Sequence, residues 1–101
     1  MTGATGASMA MMVGRADGAP NFAMRSFSVE DGGHTPRHHH DYEHEVFVIA
    51  GRGTVLLGEA EHAIGPGDVV YIEADLEHQF RSVSGPLRFL CIVPVERNCG
   101  D

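Results

Sequence analysis

The sequence predicts an all-β fold, an antiparallel sandwich or barrel. From Asn21 onward, short runs rich in β-branched and aromatic residues alternate with turn residues, and the turns recur about every 8 to 12 residues. No run of apolar residues keeps a helical spacing. A chain of 101 residues is long enough for one domain with a modest core, and no internal repeat divides it.

Seven strands are predicted, each bounded by turn residues. The first alternates apolar and polar side chains, as a strand with one buried face does. Gly65-Pro-Gly67 is the strongest turn signal, because proline presets φ and glycine accepts a positive φ. Residues 31–33, 50–53 and 84–86 are also predicted as turns. The predicted strands are residues 22–29, 45–49, 54–57, 61–64, 68–72, 78–83 and 87–93.

The two chain ends differ in composition from the patterned middle. Residues 1–14 are rich in Gly, Ala, Ser and Thr and are predicted to form a flexible tail. Their apolar stretch, residues 9–13, follows no basic residue and is too short for a signal peptide or a membrane span. We therefore predict a single domain over residues 15–97 and a short tail over residues 98–101.

Charge and cysteine content exclude several classes of function. Fourteen acidic residues outnumber seven basic ones, all of them arginine, and the net charge is −7. An acidic chain without a basic cluster is not expected to bind nucleic acid or an anionic membrane. Cys91 and Cys99 form no disulfide framework. Cys91 lies in an apolar run and is either a small core residue or a pocket thiol, whereas Cys99 is expected to be free, which indicates a reducing, cytoplasmic location.

Four histidines are predicted to meet at a metal site. His38 and His40 are two residues apart and share one face of a strand. His44 follows a short excursion, and His78 comes from a later strand. Neutral imidazole is a common ligand for Mn, Fe, Cu, Ni and Zn. His39 has the opposite parity and should face outward.

Two further histidines and one glutamate bear on the composition of the site. His34 and His62 lie in turn or edge positions and are expected to be exposed to solvent. The third metal ligand is either His44 or Glu45, because strand neighbours point to opposite faces. Hydrophobic alternation does not choose between them, since both faces of this strand are apolar.

These motifs resemble those of the cupin superfamily. The resemblance covers about residues 20–95, and its second motif departs from the usual pattern at Ala74-Asp75-Leu76, where Pro-x-Gly is common. It implies a jelly-roll barrel, also called a double-stranded β-helix, built from antiparallel strands. The matching positions are Gly32, His38, His40, Glu45 and Gly51 for the first motif, and Gly67 and His78 for the second.

A closer likeness is to small single-domain bacterial cupins that bind manganese through four histidines. The shared strings are residues 19–25, residues 38–48 and residues 89–94. This resemblance implies that His44 rather than Glu45 is the third ligand, and that the protein is a homodimer. It also favours Mn over Fe, Cu, Ni or Zn, although affinity alone would rank Cu, Zn and Ni higher.

Three side chains are predicted to lie around the metal. Phe89 and Cys91 share one face of the last strand and are expected to line the pocket mouth. Arg25 has the parity of the buried face in the first strand, where an inward arginine needs a partner or a ligand carboxylate. The alternative for Arg25 is a surface or dimer ion pair. Phe80 has the parity of His78 and should pack beneath the metal.

The sequence leaves three hypotheses for function. Four neutral ligands leave a divalent ion its full charge, and an octahedral ion would keep two open positions, which an oxygenase acting on a small organic molecule requires. The second hypothesis is a module that binds a ligand or metal without turnover. The third is non-redox chemistry such as isomerisation or lyase activity. A closed, tetrahedral zinc would oppose catalysis, and no general base stands out, so the catalytic residues remain unassigned.

Overall fold

The computed structural model describes residues 2–95 of the 101-residue chain. Six β-strands and one short 3-10 turn account for most of these residues. The strands are β1 Thr5–Val13, β2 Phe22–His34, β3 His44–Leu57, β4 Ala60–Ile64, β5 Val69–Ile72 and β6 His78–Pro94, and the 3-10 turn is Arg15–Asp17. No helix in this part of the chain is long and apolar enough to cross a membrane.

Every pair of neighbouring strands is antiparallel, and the two longest strands form the centre. The strand order is β1-β2-β6-β3-β4, and β5 pairs with the first part of β3. β3 pairs with β6 from Glu45 opposite Ile92 to Leu57 opposite His78. The predicted all-β jelly-roll fold is therefore confirmed.

Three segments predicted as turns lie within long strands: residues 31–33 in β2, residues 50–53 in β3 and residues 84–86 in β6. The seven predicted strands therefore become five, and β1, which was not predicted, is the sixth. The β3–β6 register shifts between Val48 and Ala50 and again between Arg52 and Gly53. Gly51 has φ 82°, and a Cβ there would collide with the carbonyl oxygen of Pro86. Glycine thus lets β3 bend and keep its pairing, rather than reverse direction.

The core lies between the inward faces of β2, β3 and β6. Three phenylalanines form its central stack. The ring centroids of Phe27 and Phe89 are 5.1 Å apart, and those of Phe80 and Phe89 are 4.3 Å apart. Val29 and Leu87 are fully buried beside them. These three rings also line the recess that adjoins His38, His44 and His78.

The N-terminal segment was predicted as a flexible tail, and for Thr5–Val13 that prediction is wrong. This segment forms β1, an edge strand whose residues pair with β2 from Thr5 opposite His34 to Val13 opposite Met24. Ala7 and Met9 pack against the core. The pairing relies on backbone hydrogen bonds, so weakly β-prone residues are tolerated at an edge. The C-terminal tail, including Cys99, lies outside the described residues, and the limits 15–97 for the domain remain a prediction.

Candidate metal centre

The structure brings the rings of His38, His40, His44 and His78 together. The centroids of His38 and His40 are 4.5 Å apart, and His78 lies 4.8 Å from His38 and 5.0 Å from His44. His40 lies 5.4 Å from His44 and 6.1 Å from His78. These side chains come from β3, β6 and the loop before β3, so only the folded barrel assembles them.

Backbone pairing sets the positions of the loop histidines. His38 and His78 form an isolated antiparallel bridge: His38 N donates to His78 O at 3.1 Å, and His78 N donates to His38 O at 2.8 Å. Asp75 N donates to His40 O at 2.6 Å. Asp75 has φ 68°, a left-handed conformation that aspartate tolerates better than most residues. The turn at residues 73–76 therefore holds the loop without the usual Pro-x-Gly.

Side chains next to the loop fasten it to β6. Thr35 N donates to Phe80 O, and Phe80 N donates to Thr35 Oγ1, both at 2.9 Å. The buried Gln79 amide donates to Thr35 O at 3.0 Å. Arg37 and Glu77 add an exposed ion pair at 2.8 Å, which contributes at most about 1 kcal/mol. The hydrogen bonds thus hold the loop, and the ion pair adds little.

His44 and Glu45 point to opposite faces of β3. His44 is 2% exposed and faces the other histidines. Glu45 lies on the outer face. A hydrogen bond with Glu43 and, to a smaller extent, partial burial raise the pKa of Glu45 to about 7. Glu45, the alternative ligand, therefore does not join the cluster, and His44 does.

Burial keeps all four histidines neutral at pH 7. Desolvation, reinforced by repulsion from the His78 ring when that ring is protonated, lowers the pKa of His44 to about 3 and that of His38 to about 4. Desolvation also lowers the pKa of His40 and of His78. A neutral imidazole keeps a nitrogen lone pair, which is the form that binds a metal.

Hydrogen bonding orients one ring and leaves others unsatisfied. His78 Nδ1 lies 2.9 Å from Leu76 O. A carbonyl oxygen only accepts, so Nδ1 carries the proton and Nε2 keeps its lone pair for the pocket. Both ring nitrogens of His44 and Nε2 of His40 are buried without a hydrogen-bond partner among residues 2–95. Buried nitrogens of this kind are costly unless something binds them.

The donor set fits a transition-metal ion. An imidazole nitrogen binds such an ion at about 2.1 Å, so two rings on one metal have centroids roughly 4.5 to 6.5 Å apart. The measured separations, from 4.5 to 6.1 Å, lie in this range. In residues 2–95, however, no three His, Cys, Asp or Glu side chains already hold their ligand atoms around one point. Binding would therefore require the rings to turn about their side-chain bonds.

An apolar recess adjoins the histidines. Its cavity volume is about 20 Å³, which is room for about one water molecule. Besides His38, His44 and His78, its walls include Phe27, Phe89 and Cys91. No aspartate or glutamate of the described chain lines it. The walls themselves offer no carboxylate base.

Of the three predicted pocket residues, Phe89 and Cys91 line the recess and Arg25 does not. Phe80 also lines it and stacks on Phe89. Arg25 is fully buried and lies behind the wall, with Nη2 3.6 Å from Cys91 Sγ and the guanidinium 5.6 Å from the Phe27 centroid. Its positive charge also contributes to the lowered pKa of His44.

The remaining histidines and one tyrosine complete the surroundings. His39 and His62 are exposed, as predicted. His34 is half-buried rather than exposed, because it packs near Gln79 at the end of β2. Sequence reasoning missed Tyr42, whose buried ring stacks on His40 at 5.0 Å. Its parity matches that of His40 and His44, which is the signal that could have identified it.

Comparison with family models gives a match to the Cupin_2 cupin domain over residues 25–93. The chain belongs to this cupin family. The matched region includes every strand from β3 to β5 and all four clustered histidines.

Individual relatives share about a third of the sequence. The 1-methylthio-D-xylulose 5-phosphate methylsulfurylase of Rhodospirillum rubrum is 40% identical over 76 residues, which cover 74% of this chain and 49% of the relative. The cupin-2 domain protein Rru_A2000 of the same species has a TM-score of 0.88 at 31% identity, covering 97% of this chain and 66% of that one. The polyketide cyclase RemF of Streptomyces resistomycificus has a TM-score of 0.87 at 31% identity, covering 96% of this chain and 70% of that one. The chain spans about half the length of the methylsulfurylase that it matches.

Proposed function

We propose that this cupin binds one divalent transition-metal ion through His38, His40, His44 and His78, and that it acts on a small organic molecule as a metal-dependent oxidoreductase. The observation that carries the proposal is the convergence of four neutral imidazoles, including His44, whose two buried ring nitrogens have no hydrogen-bond partner in the described chain. Manganese is the proposed ion, on the likeness to four-histidine cupins, with iron as the next candidate.

The four histidines would bind the ion, and the neighbouring phenylalanines would exclude water from it. The bound ion would supply Lewis acidity and, if it is Mn or Fe, a redox couple. The four imidazoles would hold it without adding negative charge. Phe27, Phe80 and Phe89 form an apolar wall that keeps bulk water away from one side. The hydrogen bond from His78 Nδ1 to Leu76 O fixes the ring orientation.

Among the described residues, no carboxylate lines the recess. This favours redox over proton-transfer chemistry. An isomerase or lyase needs a group that takes a proton from carbon, and the lining residues with ionisable side chains are histidines and Cys91. The histidines are assigned to the metal. The ion that these histidines would hold would therefore supply the redox chemistry.

A second candidate, non-redox metal-dependent chemistry, has one observation in its favour. The 40% identical relative is a methylsulfurylase, and RemF is a cyclase. Cys91 lines the recess, so a thiol is present beside the proposed metal. Sulfur-transfer or cyclisation chemistry would use the ion as a Lewis acid only.

Oxygen uptake distinguishes the candidates. Protein loaded with Mn, Fe or Zn is mixed with a panel of small aromatic and carbonyl compounds, while dissolved oxygen and products are followed. The oxidoreductase proposal expects oxygen consumption with Mn or Fe, none with Zn, loss in His38→Ala, and full activity in the matched control His62→Ala. Product formation that proceeds equally well with Zn and consumes no oxygen would support the second candidate instead.

A further inference from the structure

Hydrogen bonding orients the four clustered histidines unequally. A ligand histidine usually donates its second ring N–H to a carbonyl or a carboxylate, which fixes the rotation of the ring. His78 does this through Leu76 O, at 2.9 Å. Both ring nitrogens of His44 and Nε2 of His40, in contrast, have no hydrogen-bond partner within residues 2–95. Packing contacts must therefore carry more of the orientation of His40 and His44 than of His78.

The Tyr42 ring supplies such a contact to both of these histidines. Its centroid lies 5.0 Å from that of His40, with 20° between the ring planes, and 5.2 Å from that of His44, with 31° between the planes. His40 and His44 are themselves 5.4 Å apart. The three rings thus form a compact triangle, and each separation lies in the range at which aromatic rings attract one another.

The backbone on both sides of Tyr42 is held in place. His40 O accepts a hydrogen bond from Asp75 N at 2.6 Å, and His44 begins β3 opposite Ile72. Tyr42 is the middle one of the three residues between these two points. It is 9% exposed, whereas its neighbours in the loop, residues 41 and 43, are exposed. The ring is therefore fixed against the histidines and closes one face of His40 to water.

A fixed neighbour limits how the ligand rings move when a metal binds. The histidines of the described chain do not yet hold their nitrogens around one point, so binding requires their rings to turn. Protein interiors are close-packed, and a ring stacked on His40 blocks rotations that would tilt this imidazole toward it. Rotations that keep the two rings stacked remain open. Tyr42 thus restricts His40 and His44 to a small set of orientations before the ion arrives.

We infer that Tyr42 is a positioning residue of the proposed metal site, and that its ring, packed on His40 and His44, sets the orientation in which these two imidazoles bind the ion. This inference rests on the metal-binding part of the proposed function and on no particular reaction. The ring of Tyr42, and not its hydroxyl, is the group that acts. Packing on Tyr42 does for His40 and His44 what the hydrogen bond to Leu76 does for His78.

The affinity for Zn²⁺, measured by competition with a chromophoric chelator, tests the inference on the full chain. Tyr42→Leu keeps an apolar side chain but removes the flat ring, and it should weaken binding about tenfold to a hundredfold, as loss of a group that orients a ligand histidine does. Tyr42→Phe restores the ring and should bind as the wild type does. Tyr71→Leu is the matched control and should also bind normally, because Tyr71 is 58% exposed on β5.

Copper spectroscopy separates positioning from a general loss of stability. Imidazole also suits Cu²⁺, and the electron paramagnetic resonance spectrum of bound Cu²⁺ reports how its nitrogen ligands are arranged. At saturating Cu²⁺, Tyr42→Leu should change this spectrum, and Tyr42→Phe and Tyr71→Leu should not. The chain has two tyrosines and no tryptophan, so all aromatic emission of Tyr71→Phe comes from Tyr42. Cu²⁺ should quench this emission more strongly than it quenches Tyr71 in Tyr42→Phe.

Further measurements keep the inference open to refutation. Thermal unfolding in chelator checks that each variant is folded, and Tyr42→Met, which has a flexible side chain, should lose the same affinity as Tyr42→Leu. The inference is overturned by a Tyr42→Leu protein with wild-type affinity and spectrum, by an equal loss in Tyr42→Phe, or by an equal loss in Tyr71→Leu. A wild type that binds neither Zn²⁺ nor Cu²⁺ would refute the proposed metal site itself, and this inference with it.

Discussion

Replacing His44 by leucine is expected to stabilise the metal-free protein while it abolishes metal binding. His44 is 2% exposed, and neither ring nitrogen has a hydrogen-bond partner in residues 2–95. Each buried polar group left unsatisfied costs about 1–3 kcal/mol. An apolar side chain of similar size removes this cost and loses at most about 1.5 kcal/mol through imperfect packing. Taken at the low end, the two nitrogens cost about 2 kcal/mol, so the net expectation is a gain of about 0.5–2 kcal/mol in the free energy of unfolding.

Thermal unfolding with and without metal measures both effects. In the presence of a chelator, the Tm of His44→Leu should exceed that of the wild type by about 4–8 °C for each kcal/mol gained. With Mn or Zn at about a hundred times the wild-type Kd, the wild type should gain about 2.7 kcal/mol and the variant nothing, so the order reverses. His62→Leu is the matched control, since His62 is exposed and should change neither value.

The reversal of order is the decisive feature of this experiment. A purely structural His44 would give a variant that is less stable both with and without metal. If His44→Leu loses stability in chelator and still gains stability from the ion as the wild type does, the assignment of His44 as a ligand is wrong. No packing effect alone produces opposite signs in the two conditions.

Three further predictions follow from the same structure. The metal-free protein should lose stability as the pH falls from about 6.5 toward 4. In that window only the unfolded chain takes up protons at His38 and His44, because their pKa values in the folded protein are lowered to about 4 and about 3. Thermal unfolding across this pH range checks the prediction, and a flat profile would contradict it. Phe89→Ala should cost about 3–5 kcal/mol in denaturant unfolding, because it removes the middle ring of the core stack; a loss below about 1 kcal/mol would refute that role. Gly53→Ala and Gly33→Ala should both be strongly destabilising, because the added Cβ would collide with the carbonyl oxygen of Arg81 or of Thr5. Gly67→Ala is the comparison at an open position, where the positive φ alone costs about 1 kcal/mol. Equal stabilities for Gly53→Ala and Gly67→Ala would show that the bend in β3 is not tightly packed.

The fold class was predictable because strand periodicity and turn residues are local signals. What the sequence did not reveal is that the glycines at 51 and 53 bend a strand rather than end it. A glycine permits both outcomes, and the choice depends on whether the following residues continue to pair with β6. β1 was missed for a related reason: its residues have low β-propensity, and its stability comes from the edge of β2, which is not a local property.

The site was predictable in its residue types more than in its orientation. The two-residue spacing of His38 and His40 indicated a shared face, and the exposure of His39 agrees with it. Parity could not choose between His44 and Glu45, because Phe47 and Ile49 make the outer face of β3 as apolar as the inner one. An apolar outer face obscures the inside–outside pattern on which strand reasoning depends. The position of Arg25 behind the wall likewise depends on tertiary packing with Cys91.

The metal content of protein purified from native expression tests the central claim most directly. Elemental analysis of the wild type is expected to give close to one transition-metal ion per chain. His78→Ala should fall well below this ratio while remaining folded, and His39→Ala should keep it, because the His39 side chain is exposed. A wild type that cannot be loaded with any divalent transition metal, or a His39→Ala variant that loses metal while His38→Ala retains it, would contradict the four-histidine site.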